Sequence, residues 1–186
     1  MKLSKKTFLN VLLILFILSF FVTPLGYYGK LFLNQLFAQS PEIIPEEQRE
    51  VLADYNWRLK NEEWDFFSFE KSKGKVAIVV FWASWKLPAC EAEMRGLQKL
   101  YDDYKGKVDF YAITNEERPP VEEFAEKVKI TMPITYLIIG DKSPLEIKEP
   151  PASYIINKAG EIVASKEGIS DWNSKKVRTL LDTLLR

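Results

Sequence analysis

The chain has 186 residues, 26 Lys and Arg against 26 Asp and Glu, one cysteine and no histidine. Without histidine there is no imidazole base, no Ser–His or Cys–His nucleophile pair and no His-ligated metal, and one thiol excludes an intrachain disulfide or a two-thiolate metal site. Zero net charge offers no basic face for nucleic acid, which leaves carboxylate, lysine or tyrosine acid–base chemistry, or a single thiol.

Residues 1–6 form a short basic end carrying Lys2, Lys5 and Lys6. Phe8 to Val22 is then almost wholly apolar, interrupted by Asn10 and Ser19. Counted from Thr7 through Leu25, the run approaches the roughly 20 residues that a membrane-spanning helix needs. Tyr27 and Tyr28 stand where interfacial aromatics sit, and the lysines are expected to stay cytoplasmic. Residues 7–28 are therefore expected to be a transmembrane signal-anchor that places the remainder on the outer, periplasmic side. A cleavage site wants small residues at two positions before the cut; Ala38 supplies one, but Leu36 is bulky, so the anchor is expected to be retained. Residues 29–50 read as a juxtamembrane segment and linker. Within them Lys30 to Gln39 is a second apolar patch with two open placements, on the membrane surface or against the domain. Ser40 to Gln48, with two prolines and three glutamates, reads as an exposed linker.

Residues 51–186 alternate between strand and helix. Val76 to Phe81 is a continuous apolar, β-branched run, the pattern of a strand buried on both faces. Glu91 to Tyr104 places Met94, Leu97, Leu100 and Tyr104 at helical spacing. Val108 to Thr114 reads as a second strand, Val121 to Val128 as a helix opened by Pro119-Pro120, and Ile134 to Ile139 as a third strand. Ser153 to Asn157 and Glu161 to Ser165 flank Lys158-Ala159-Gly160 as a hairpin. A last helix starts near Ser174 with Asn173 as its expected N-cap. Tyr55 to Phe69 shows no clear pattern. The order β-α-β-α-β-β-α implies an α/β domain: a mixed central sheet with helices on both faces.

Phe81-Trp82-Ala83-Ser84-Trp85 leaves the buried strand and leads into Pro88-Ala89-Cys90-Glu91-Ala92-Glu93-Met94. Further on stands Pro151-Ala152-Ser153-Tyr154-Ile155-Ile156-Asn157-Lys158-Ala159-Gly160-Glu161-Ile162-Val163. These two stretches resemble the thioredoxin superfamily, and in particular the membrane-anchored, outward-facing thiol–disulfide oxidoreductases of the TlpA/ResA type. There the first reads F-W-A-[ST]-W-C-x-P-C-x-x-E-M, and the second P-T-T-F-L-I-D-x-x-G-x-I-V. The resemblance implies a thioredoxin-like fold and a cis proline at Pro151 facing the site.

Dithiol exchange needs a thiolate that attacks and a neighbouring thiol that resolves the mixed disulfide. Counted forward from Trp85, Lys86 stands at the first cysteine's place; counted back from Glu93-Met94, Leu87 does, and Cys90 takes the second. Val80 stands where thioredoxins often carry a buried Asp, and Pro150, before the expected cis proline, has no N–H to offer a bound peptide. The candidate site is thus the single thiol Cys90 with a degenerate surface of Trp85, Lys86, Leu87, Pro88, Pro150 and Pro151, and no metal or cofactor. Two readings of Cys90 stand open. It is a small buried apolar residue, or it is a reactive thiol near a helix N-terminus with Lys86 nearby, opposed by Glu91 and Glu93. Glu62-Glu63 and Glu116 to Pro120 read as exposed loops. Expected partners are the membrane, through the N-terminal helix, and an envelope protein or thiol partner. The function expected is a binding or scaffold role without dithiol turnover, or, alternatively, monothiol exchange through Cys90.

Overall fold

The computed structural model describes residues 4–186; Met1, Lys2 and Leu3, part of the expected cytoplasmic end, lie outside the described residues. Helix α1 runs Lys5–Val22, capped by Ser4, whose hydroxyl accepts from the Thr7 N–H. Its apolar side chains are exposed from Phe8 to Leu18, and again at Phe21. Pro24 cannot continue the hydrogen-bond ladder and instead opens a second helix, α2, at Pro24–Phe37. The two axes bend by 73° at this break. No single helix among the described residues is long and apolar enough to cross a membrane, although this bent pair is so when taken together. The helical turn around Tyr27-Tyr28 thus belongs to α2 and not to a continuous anchor helix.

The segment expected as an exposed linker is in part laid on the sheet. Strand β1 (Glu42–Ile43) pairs antiparallel with a strand near the C-terminus. The stretch without clear pattern, Tyr55 to Phe69, supplies β2 (Arg58–Lys60), β3 (Phe66–Ser68) and a 3-10 turn. Then follow β4 (Ala77–Phe81), α3 (Ala89–Tyr104), β5 (Asp109–Thr114), α4 (Arg118–Val128), β6 (Ile134–Leu137), β7 (Ala152–Ile156), β8 (Ile162–Glu167) and α5 (Lys175–Leu184). They form one eight-stranded mixed sheet ordered β1-β8-β7-β4-β5-β6-β2-β3. Strand β4 lies at its centre, parallel to β5 and antiparallel to β7. Its full burial explains its unbroken apolar sequence. The β7–β8 hairpin turns at Gly160, whose φ is +86° and where a Cβ would come within 2.8 Å of the Tyr55 hydroxyl, so glycine is required on both counts.

Alternation along β4 divides the core. Ile78 and Val80 join the cluster built with Met94, Leu97, Phe124 and Leu181 of α3, α4 and α5. Ala77, Val79 and Phe81 join an opposite cluster closed by Trp57, Leu59, Phe69 and Leu145. The expected helices on both faces are therefore corrected: the domain's three helices share one face, and aromatic residues from the segment before β4 cover the other. The physical reason lies in residues 138–151, where Gly140, Pro144, Pro150 and Pro151 break any helical run that would cover that face. A smaller correction concerns α5. Its N-cap is Ser174, which accepts from the Val177 N–H, while the Asn173 carboxamide oxygen accepts from the Arg178 guanidinium at 3.0 and 2.6 Å.

Candidate functional site

The site forms where the loop after β4 meets the loop before β7. Several ties fix its shape. Trp82 N–H donates to the Ile113 carbonyl, and the first turn of α3 closes with Cys90 N–H on the Lys86 carbonyl, both at 2.9 Å. Glu116 accepts from both the N–H and the hydroxyl of Ser84 at 2.6 Å, and from the Thr114 hydroxyl at 3.3 Å. Glu116 was expected in a plain exposed loop; it is instead a half-buried clamp between the loops following β4 and β5. Across the site, the Lys86 ammonium lies 2.7 Å from Glu149, which immediately precedes Pro150. Lys86 thus joins the two loops and is not a free cation. The Leu87–Pro88 and Pro150–Pro151 peptide bonds are both cis.

The seven residues singled out from the sequence gather here in three layers. Trp85 is 65% exposed and Leu87 is exposed beside it. Lys86, Pro88 and Pro150 are half-buried, and Pro151 is buried. Beneath them Cys90 is 0% exposed, its sulfur accepting from the Ala83 N–H at 3.5 Å. Burial pushes its thiol up to about 12; the Ala83 N–H and Lys86 pull the other way, and Glu93 and Glu116 add to the rise. Burial outweighs the helix N-terminus, because the cost of ionising a sulfur sealed from water exceeds what one half-exposed turn returns. Such a thiol packs as a small apolar group. Val80, at 0% exposure, fits the same apolar surroundings.

Next to this loop is a cleft of about 230 Å³, lined among others by Phe81, Trp85, Leu137, Ile147 and Pro150. Apolar side walls with few donors suit an apolar side chain on an extended segment. Pro150 has no N–H with which to pair that segment's backbone.

Sequence reasoning missed a polar cluster under the site. Glu93, 0% exposed, receives hydrogen bonds from the Ser153 hydroxyl at 2.8 Å, the Ser170 N–H at 2.8 Å and the Trp172 indole N–H at 2.5 Å. Burial raises this carboxyl to about 7 despite the three donors, which act to lower it. Its signal was present: Glu93 falls three residues after Cys90 and four before Leu97, on the apolar stripe of α3. In the sequence it stands only as the E of the E-M motif end and as a charge opposing ionisation of Cys90.

This geometry, a β-α-β unit whose loop enters a helix opposite a cis proline, defines a thioredoxin-like fold. Residues 53–165 match the AhpC/TSA family, and the chain belongs to that family. It is a thioredoxin-like protein of the ResA type. Among curated relatives it is 29% identical to the thioredoxin-like protein YneN of Bacillus subtilis over 85% of this chain and 87% of that one. It is 28% identical to the thiol-disulfide oxidoreductase ResA of Halalkalibacterium halodurans over 82% and 83% of the two chains. A solved DsbF homologue from Corynebacterium diphtheriae shares the fold with a TM-score of 0.60 at 16% identity, covering 78% of this chain and 94% of its own.

Proposed function

We propose that the chain is a membrane-anchored, outward-facing member of this family that binds a partner polypeptide in the cell envelope without dithiol turnover. The carrying observation is the sealed sulfur: the only cysteine is 0% exposed, and its thiol stays protonated far above neutral pH. An electron pair cannot cycle within a molecule that offers one buried thiol, because the mixed disulfide has no internal partner to resolve it. The exposed Trp85 and the cleft it shares with Ile147 and Pro150 supply the binding surface. Helix α1, with its apolar side chains exposed from Phe8 to Leu18, supplies the anchor, with Lys5 and Lys6 at its cytoplasmic end.

The test uses the full-length chain in detergent micelles. A thiol-alkylating reagent at neutral pH is expected to leave Cys90 unmodified until denaturant is added. Insulin is expected to be reduced no faster than in the buffer control. Rapid labelling of the folded chain favours the second reading, monothiol exchange through Cys90. Sustained insulin reduction without an added thiol defeats the binding reading outright.

A further inference from the structure

Helix α2 has two apolar faces, and only one is covered. On the inner side Gly26 and Leu31 are buried, and the Tyr27 hydroxyl donates to Glu91, a carboxylate on α3 only 1% exposed. Arg95 holds the other oxygen of Glu91 at 2.8 and 3.0 Å, and the Lys127 ammonium stands 5.6 Å from the centre of the Tyr27 ring. Just past α2, the Gln39 carbonyl accepts from the Ser170 hydroxyl and the Asp171 N–H. The helix is therefore fastened to the domain at both ends. On the outer side Leu25, Tyr28, Phe32 and Leu36 are all exposed, at i, i+3, i+7 and i+11, a single stripe on a helix.

We infer that α2 is an interfacial helix clamped between the domain and a phospholipid bilayer, with the Leu25–Leu36 stripe seated in the outer-leaflet interface. The inference rests on the anchor reading of α1. Three observations select lipid as the occupant. Leu25, which opens the stripe, stands three residues after the end of α1, whose apolar side chains are exposed from Phe8 to Leu18. The 73° bend sets α2 close to the membrane plane when α1 runs along the normal. The chain has no Asp or Glu before Glu42, so no carboxylate is dragged toward the headgroups; Lys30 is the only charged residue within α2 and is exposed. The consequence is orientation: α3, and with it the Trp85 surface, is held at a fixed height above the membrane instead of swinging on a linker.

The test places a nitroxide label at one introduced cysteine at a time in the full-length Cys90→Ala chain. The chain is reconstituted in vesicles of phosphatidylcholine and phosphatidylglycerol. Leu12→Cys reads the anchor, Phe32→Cys and Leu36→Cys read the stripe, and Lys166→Cys on β8 reads the aqueous domain surface. Expected is high oxygen and low nickel-chelate accessibility at 12, and an oxygen-to-nickel ratio several-fold higher at 32 and 36 than at 166. A buried label at 12 with water-like labels at 32 and 36 overturns the inference while leaving the anchor intact. A water-like label at 12 overturns the anchor reading and this inference with it.

Discussion

Two glutamates two residues apart on α3 have been buried by different parts of the chain. Glu93 is enclosed by the domain itself, through Ser153 on β7 and the backbone and indole that precede α5. Glu91 faces the other way, and its far side is closed by Tyr27 from α2. One carboxylate is thus part of the fold, while the burial of the other depends on how the N-terminal segment lies. The difference separates what the domain needs in order to stand from what it needs in order to be oriented. A buried carboxylate with three donors is stabilised only by their geometry, and losing it leaves every donor unpaired.

The largest effect that sharpens this contrast is expected at Glu93. Glu93→Ala leaves the Ser153 hydroxyl, the Ser170 N–H and the Trp172 indole N–H without their acceptor and opens a cavity; at pH 5 it should cost about 3–5 kcal/mol of unfolding free energy. Chemical denaturation measures this directly, and a loss below about 1 kcal/mol contradicts the cluster's structural role.

Next comes a dependence on pH with an unusual sign. The ordinary value for Glu93 is 4.5, and in the folded chain it is raised to about 7. Below about 4.5 both states hold the proton and the contribution to stability is fully present. As pH rises the unfolded chain ionises first, so stability falls between 4.5 and 7 and levels off above. The loss is on the order of 3 kcal/mol. Denaturation midpoints of the parent and of Glu93→Gln, measured from pH 4.5 to 8, should draw apart as pH rises, the parent falling relative to the amide, which does not titrate. Parallel curves would show that Glu93 does not titrate in this range. The same ionisation makes the Glu93→Ala penalty shrink toward pH 8.

At Glu91 the expected effect is smaller and local. Tyr27→Phe removes one hydrogen bond to a carboxylate that Arg95 still holds, worth about 1 kcal/mol. The domain should keep its denaturation midpoint, while amide exchange over α2 should quicken about fivefold. Equal quickening in β4 and β5 would mean that α2 is part of the fold's cooperative unit and not a separately released clamp.

The contrast also explains what could be read in advance. Strands β4 and β5 and the Gly160 hairpin were legible because burial on both faces and a tight turn leave their mark on consecutive residues. The gathering of Trp85, Cys90 and Pro151 was legible for a different reason, the family motifs that carry them. Strands β2 and β3 were not, since three residues each carry no period. Docking of α2 was left open between membrane and domain, because its partner Glu91 lies far along the chain and nothing local encodes the pairing. The structure shows the placement against the domain, with Leu31 buried and the Gln39 carbonyl held by Ser170. The clamp at Glu116 and the three donors around Glu93 were not legible, because a carboxylate's partners are a property of the fold, not of its neighbours in sequence.

The smallest expected effect is at the ion pair that crosses the site. Lys86 and Glu149 are 2.7 Å apart, but with 33% and 71% of their side chains exposed they are heavily screened by water. Lys86→Ala should change stability by no more than a few tenths of a kcal/mol. It should also leave Cys90 resistant to alkylation, because the sulfur is sealed by packing among Trp82, Met94 and Val80 and not by the pair above it. If this single replacement instead opens Cys90 to reagent, the loop from Trp85 to Pro88 is the lid over the thiol, with the Lys86–Glu149 contact as its fastening. The monothiol reading would then gain the accessible sulfur it requires.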